Sequence, residues 1–384
     1  MNFEFATAAR ILFGPGVSSQ VAHAAAAMGN RALVVTGATP ERAAPIIRQL
    51  EAAAIHCSLF PVAGEPTVDL IRGGAEYARR ERCELVVAMG GGSALDAGKA
   101  LAEMLANPGD PLDYLEVIGR GQPLSHASVP FIAIPTTAGT GTEVTRNAVL
   151  ASPQHRVKAS LRSPGMLPRL AVVDPELSYD LPRPITAATG LDALTQLIEP
   201  YTSVRANPMT DMFCVEGIRR AAWALPLAWE NGGDREARAA MAWVSLLGGL
   251  SLANAGLGAA HGFAAPVGGM FPAPHGAVCA AILPYAMEVN VRALAARQPE
   301  SPALARYEEI ARLLTGRPRA TARDGVRWVT DLCVRLEIPP LRAYGVGATD
   351  IPDLAAKAAG ASSMKGNPIA LTPDELQEII SRAL

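Results

Sequence analysis

Cysteine is sparse in this chain. There are five, Cys57, Cys83, Cys214, Cys279 and Cys333, widely scattered and never in a CxxC pair. An odd, dispersed set reads as reduced thiols and predicts a cytoplasmic location rather than a disulfide framework. Basic runs are missing too, and the net charge is only −2, so there is no electrostatic footprint for nucleic acid. The first stretch, MNFEFATAARILFGPG, has no basic segment leading into an apolar one, and no signal peptide is expected from it. Internal repeats and low-complexity tracts are also absent. The longest absence is of charge: Asp, Glu, Lys and Arg do not occur between Ala239 and Met287. Ala239 to Ala260 is long enough to span a membrane. It carries Gly248, Gly249, Asn254, Gly256, Gly258 and two serines, however, and has no second span for company. A helix buried in a large soluble core is the better expectation, with no membrane partner.

What is present points to a globular protein of two domains. The chain has 384 residues, 49% hydrophobic and 18% charged, too long for one ordinary core. In the first half, short β-branched runs alternate with helical patterns. Strands are expected at Arg31 to Thr36, Cys57 to Pro61, Glu84 to Met89, Pro130 to Pro135 and Leu170 to Val173. Helices are expected at Val17 to Met28, Pro40 to Ala53, Thr67 to Arg80 and Ala94 to Ala106. Phe3 to Phe13, ending at Gly14-Pro15-Gly16, reads as a hairpin or edge strand. That alternation predicts a doubly wound, largely parallel sheet. After Leu181-Pro182 the patterns become long and helical, with no convincing strand. An α/β domain over 1–183 followed by an all-α domain over 184–384 is the expected organisation.

Four stretches carry chemistry. GGGSALDAGK, Gly90 to Lys99, lies between a strand and a helix. Its glycines allow close backbone approach to a pyrophosphate, and the helix start offers free N–H groups. It is neither GxGxxG nor a Walker loop, and a plain glycine turn capped by Ser93 is the alternative. PTTAGTGTEVT, Pro135 to Thr145, is a second strand-to-loop element, suited to a ribose or equally to a self-bonded polar loop. Two such loops at the carboxyl ends of parallel strands strengthen each other. Asp192 and Gln196 share a helix face, although an early Asp can simply cap. Finally, His261 and His275 lie inside the charge-free run. Two imidazoles there need partners, and a cation shared with a carboxylate, Asp192, would supply them.

Taken together, GGGSALDAGK, PTTAGTGTEVT, GLDALTQLIEPYTS and HGFAAPVGGMFPAPHG resemble the iron-containing (group III) alcohol dehydrogenases, in family order over nearly the whole chain. The resemblance implies a Rossmann-like α/β domain that binds NAD or NADP. It also implies a helical domain holding one divalent metal, Fe2+ ahead of Zn2+, in the cleft between them. The implied reaction interconverts a small primary alcohol and its aldehyde, by hydride transfer in a homodimer. Metal ligands carried over are Asp192, His261 and His275, which are also the catalytic set, and position 196, where the family usually has His and this chain has Gln196. A further family His, four residues after His261, is Ala265 here. Gly91, Gly92, Ser93 and Asp96 match the phosphate loop and its helix. Thr136, Thr137, Thr140 and Thr145 match the ribose and nicotinamide side, and Lys158 matches a lysine facing the nucleotide. Gly37 stands where NAD-preferring members often carry Asp, which favours NADP. The two missing imidazoles keep rivals open: a maleylacetate reductase-like reductase of an acidic carbonyl compound without metal dependence, or a nucleotide-binding homologue without turnover. A glycerol dehydrogenase or dehydroquinate synthase relative is a more distant one.

Overall fold

The computed structural model describes residues 2–384, which fall into two compact units. One comprises Ala6–Thr137 and Gly141–Ser178. The other comprises Tyr179–Leu384 with residues 2–5 and Ala138–Thr140.

The first unit is built on strands β1 (Ile11–Phe13), β2 (Arg31–Thr36), β3 (His56–Pro61), β4 (Leu85–Gly90), β5 (Phe131–Pro135) and, last in the chain, β8 (Leu170–Val173). Between them run α1 (Val21–Ala25), α2 (Ala44–Ala52), α3 (Val68–Arg80), α4 (Gly92–Ala106) and the single turn α5 (Pro111–Tyr114). The six strands form one parallel sheet in the order β1-β8-β5-β4-β2-β3. β4, β5 and β8 are buried along their whole length, as continuous apolar runs in a two-sided parallel sheet should be. Alternate residues divide between the faces. Leu33, Val35, Val86 and Ala88 pack with Ile71, Leu95 and Leu101, while Ala32, Val34, Leu85 and Val87 pack with Val21, Ile46 and Leu50. Helix α4 lies so close to the sheet that a Cβ on Gly98 would stand 2.6 Å from that of Ala88.

Of the two alternatives for Phe3 to Phe13, the edge strand holds over Ile11–Phe13, which pairs in parallel with β8 at the sheet's edge, and no hairpin forms. One feature of this unit differs from expectation. A second, two-stranded antiparallel sheet, β6 (Asn147–Ser152) with β7 (Val157–Arg162), follows the threonine-rich loop. Its half-polar strands bury only alternate positions, and their mixed composition conceals them.

The helical unit contains α6 (Arg183–Thr202), α7 (Pro208–Glu230), α8 (Arg235–Ala255), α9 (Ala259–Met270), α10 (His275–Arg297), α11 (Pro302–Thr315), α12 (Ala322–Arg335), α13 (Ile351–Gly360) and α14 (Pro373–Arg382). No strand occurs in it among the described residues. The uncharged run is not one span: α8 stops at Gly256, whose φ of 74° suits glycine, and α9 leaves at 97° to it. Helix α10 is long and apolar enough to cross a membrane, yet 78% of its apolar window is buried among its neighbours, as in a core helix.

Candidate active site

Helix α6 carries the first half of the site on one face. Asp192, Gln196 and Glu199 fall at i, i+4 and i+7 and are all buried. Helix α9 brings His261, and α10 brings His275 as its first residue, with Pro274 in the position before the helix. Helix α10 can sit against α6 because Gly276 has no side chain: a Cβ there would be 2.6 Å from the Ala188 carbonyl oxygen. Cys279, one turn on from His275, faces the same way.

These elements bring Asp192, His261, His275 and Cys279 together, with one donor atom from each inside a 4.8 Å cluster. His261 Nε2 is 3.3 Å and His275 Nε2 is 3.7 Å from Asp192 Oδ1. Cys279 Sγ is 3.7 Å from His275 Nε2. The other ring nitrogen of His261, Nδ1, lies 2.6 Å from Glu199 Oε2, and Glu199 Oε1 accepts from the Ala260 N–H at 2.6 Å. A carboxylate at Nδ1 fixes the proton there and turns the Nε2 lone pair inward, the outer partner typical of a metal-ligating histidine. Burial opposes the charged forms, but the neighbouring groups outweigh it. The imidazoles hold the Asp192 carboxyl below its usual range, and Cys279 with Glu199 holds His261 well above its own, so the protein alone favours a second proton on Nε2, which a bound cation would displace.

Asp192 Oδ1 and His261 Nε2 are fully buried and neither makes a hydrogen bond. Two orphaned donors of this kind are costly unless something sits between them. A divalent cation fits: it would accept from carboxylate, imidazole and thiolate together. The His275 side chain remains 35% exposed, so the cluster has an open flank. Gln196 donates its Nε2 N–H to Asp192 Oδ2 at 3.1 Å, and its Oε1, also buried without a hydrogen-bond partner, lies toward Gly248 of α8.

The α/β unit gathers the glycines at one point. Strands β2 and β4 are neighbours whose chain connections run to opposite sides, which makes their carboxyl ends the switch point of the sheet. Gly37 and Gly90 meet there, and a Cβ on Gly90 would be 3.3 Å from the Gly37 nitrogen. A Cβ on Gly37 would meet nothing within 4 Å, and one on Gly91 only Thr137 at 3.5 Å. The fold itself does not demand glycine at these two positions. Helix α4 begins at Gly92 with Ser93 inside its first turn and no side-chain cap, against the alternative of Ser93 capping. Its first N–H groups remain available to an anion.

Other expected cofactor residues are engaged by the protein. Asp96 Oδ2 accepts from the Val149 N–H at 3.2 Å. The Thr145 hydroxyl accepts from Lys99 and donates to the Thr142 carbonyl. Lys158 pairs with Glu65 at 3.0 Å. Thr136 is buried after β5, with its N–H donated to the Gly90 carbonyl, and Thr140 lies in the short segment that packs with the helical unit.

Residues 8–175 match the family described as iron-containing alcohol dehydrogenase, and residues 186–384 match its C-terminal family. The chain belongs to the iron-containing alcohol dehydrogenases.

It is 36% identical to a choline dehydrogenase of Bacillus subtilis, over 96% of this chain and 91% of that one. It is 34% identical to a 1,3-propanediol dehydrogenase of Klebsiella pneumoniae, over 97% and 96%. A solved 1,3-propanediol oxidoreductase superposes with a TM-score of 0.92 at 32% identity, covering 100% of both chains. Membership makes this an oxidoreductase that interconverts alcohol and aldehyde, in a family that uses a nicotinamide dinucleotide and a divalent metal. Two residues beside the Asp192, His261 and His275 cluster escape a reading of the sequence. Glu199 was visible only as a third member of the Asp192 face. Cys279 becomes visible only once His275 is placed on a helix.

Proposed function

We propose that this enzyme acts on a small primary alcohol and its aldehyde, with NADP ahead of NAD and a divalent metal held by Asp192, His261 and His275. The observation that carries the reading is the meeting of two orphaned buried donors, Asp192 Oδ1 and His261 Nε2, beside His275. When bound, the metal supplies Lewis-acid polarisation of the substrate oxygen and the nicotinamide exchanges the hydride. Glu199 keeps the His261 lone pair aimed inward, and Gln196 holds the far oxygen of Asp192. Ala265 offers no imidazole to take the substrate proton. Iron is the first candidate by family description, with zinc second.

The primary alcohol rests on relatives named for choline and 1,3-propanediol, both of which are primary alcohols. NADP rests on Gly37: without a carboxylate at the end of β2, nothing there repels a 2′-phosphate. A homodimer is supported by β1, which leaves one side of the sheet edge open to a second copy. A cytoplasmic location is supported by five free cysteines.

The test is elemental analysis of the purified enzyme, then NADPH and NADH oxidation with propanal before and after chelation. Bound metal, with activity lost to chelator and restored by iron or zinc, is the expected result. Metal-free protein that still turns over an acidic carbonyl substrate would replace this reading with the metal-independent reductase. Gly37→Asp should shift the cofactor ratio toward NAD by at least about 10-fold, by placing like charge against the 2′-phosphate. An unchanged ratio would remove Gly37 from the cofactor site.

A further inference from the structure

We propose that Cys279, as a thiolate, is the fourth protein ligand of the metal, taking the place that Gln196 leaves empty. The inference rests on the metal reading above and specifies its donor set. Gln196 stands at the usual imidazole position, yet it turns its amide nitrogen to Asp192 Oδ2 at 3.1 Å and so acts as an outer partner. Cys279 is fully buried, one helical turn from His275, with Sγ 3.7 Å from His275 Nε2 and inside the same 4.8 Å cluster as Asp192 and His261. The two orphaned atoms of that cluster, Asp192 Oδ1 and His261 Nε2, show that its centre is kept for something other than a hydrogen bond. None of the other four cysteines joins such a cluster among the described residues.

One carboxylate, two imidazoles and one thiolate form a borderline-soft set, which suits zinc and cobalt better than magnesium or manganese. On binding, the S–H bond of Cys279 is replaced by an S–metal bond and the proton passes to solvent, with no change of oxidation state. The enzyme's metal preference would then lean toward zinc relative to a four-ligand site without sulfur.

Cobalt reads this directly. Metal-stripped full-length enzyme is titrated anaerobically with Co2+, following absorbance and bound cobalt together. The expected result is one bound Co2+ with an intense near-ultraviolet thiolate-to-cobalt charge-transfer band alongside the visible d–d bands. Cys279→Ser should lose the charge-transfer band, keep visible bands, and bind Co2+ at least about 10-fold more weakly. Gln196→Leu should keep the band. Stoichiometric Co2+ without the band in the unmutated enzyme overturns the thiolate ligand and leaves the metal reading intact. Retention of the band in Cys279→Ser overturns the thiolate ligand equally. Failure of the unmutated enzyme to bind cobalt or zinc at all overturns the metal reading, and this inference with it. Should Cys279→Ser misfold, Cys279→Ala serves, and the band of the unmutated enzyme already decides the question.

Discussion

Each unit of this molecule buries a cluster of charged groups, and the two clusters are treated in opposite ways. In the α/β unit, Lys99 is fully buried and donates to Thr145 Oγ1 at 2.6 Å and to the Asn147 carbonyl at 3.1 Å. Asp96, one turn earlier on α4, holds the Val149 N–H. Together they pin the threonine-rich loop and β6 to α4, and Glu143 adds compensating charge. Every partner is supplied by the chain. In the helical unit, Asp192 and His261 are as deeply buried, yet each keeps one atom unsatisfied at a common centre. A buried polar cluster that completes itself is architecture. One that leaves neighbouring atoms unsatisfied, as Asp192 Oδ1, His261 Nε2 and Gln196 Oε1 are here, has room for a ligand.

If that contrast holds, breaking the first cluster should cost stability and leave metal binding alone. Lys99→Met leaves Asp96 and Glu143 buried without their cation. It should destabilise the enzyme by about 3–5 kcal/mol in chemical denaturation, while metal content stays unchanged. Adding Glu143→Gln should recover part of that loss, because the two sites are coupled. A loss of metal on Lys99→Met, or an additive double mutant, would break the contrast.

Breaking the second cluster should do the reverse. Glu199→Gln weakens the acceptor at His261 Nδ1 and loosens the control that turns Nε2 inward. Metal affinity should fall about 10- to 100-fold in competition with a chromophoric chelator. The thermal midpoint of the metal-free protein should move little, since the Ala260 N–H retains an oxygen partner. Equal losses in both measurements would make Glu199 a packing residue only.

How much of this could be read from the sequence follows the same division. β2 (Arg31–Thr36) and β8 (Leu170–Val173) stand where the apolar runs place them, because strands buried on both faces write themselves as unbroken β-branched stretches. The β6–β7 pair was not legible, because Lys158, Arg162 and several serines mask its alternation. Helix α6 begins at Arg183, close to the Leu181-Pro182 change in pattern, with Pro184 in its first turn. The Asp192, His261 and His275 cluster was legible as chemistry, because imidazoles in a charge-free run demand a partner. Its completion was not. Glu199 and Cys279 acquire meaning only from the angle at which α9 and α10 meet α6, and that angle is set by small contacts such as Gly276 against Ala188.

One residue tests how far the rule about unsatisfied atoms extends. Glu103 on α4 is fully buried, accepts from Asn107 Nδ2 at 3.2 Å through Oε2, and leaves Oε1 without a partner. No other orphan converges on it, and it belongs to no ligand cluster among the described residues. It meets the deficit another way: burial pushes its carboxyl from 4.5 to about 7, only partly offset by Ser163, so the proton itself becomes the missing partner. The folded-state value lies above the unfolded one. Its contribution to stability is therefore complete below about pH 4.5 and declines as the pH rises through about 7, where the folded protein must give up a proton it had retained. At pH 8 the penalty is about 3.5 kcal/mol at most, from about 2.5 units at about 1.4 kcal/mol each. Glu103→Gln removes it. The variant should melt a few degrees higher than the parent at pH 8, match it near pH 4.5, and lose part of the slope between. Glu143 and Asp96, which burial also raises to about 7, contribute to the remaining slope. A midpoint that moves equally at both pH values would show that Glu103 is charged in the folded protein. A lone orphaned oxygen would then need a bound cation after all, and the line drawn between the two units would fail at this residue.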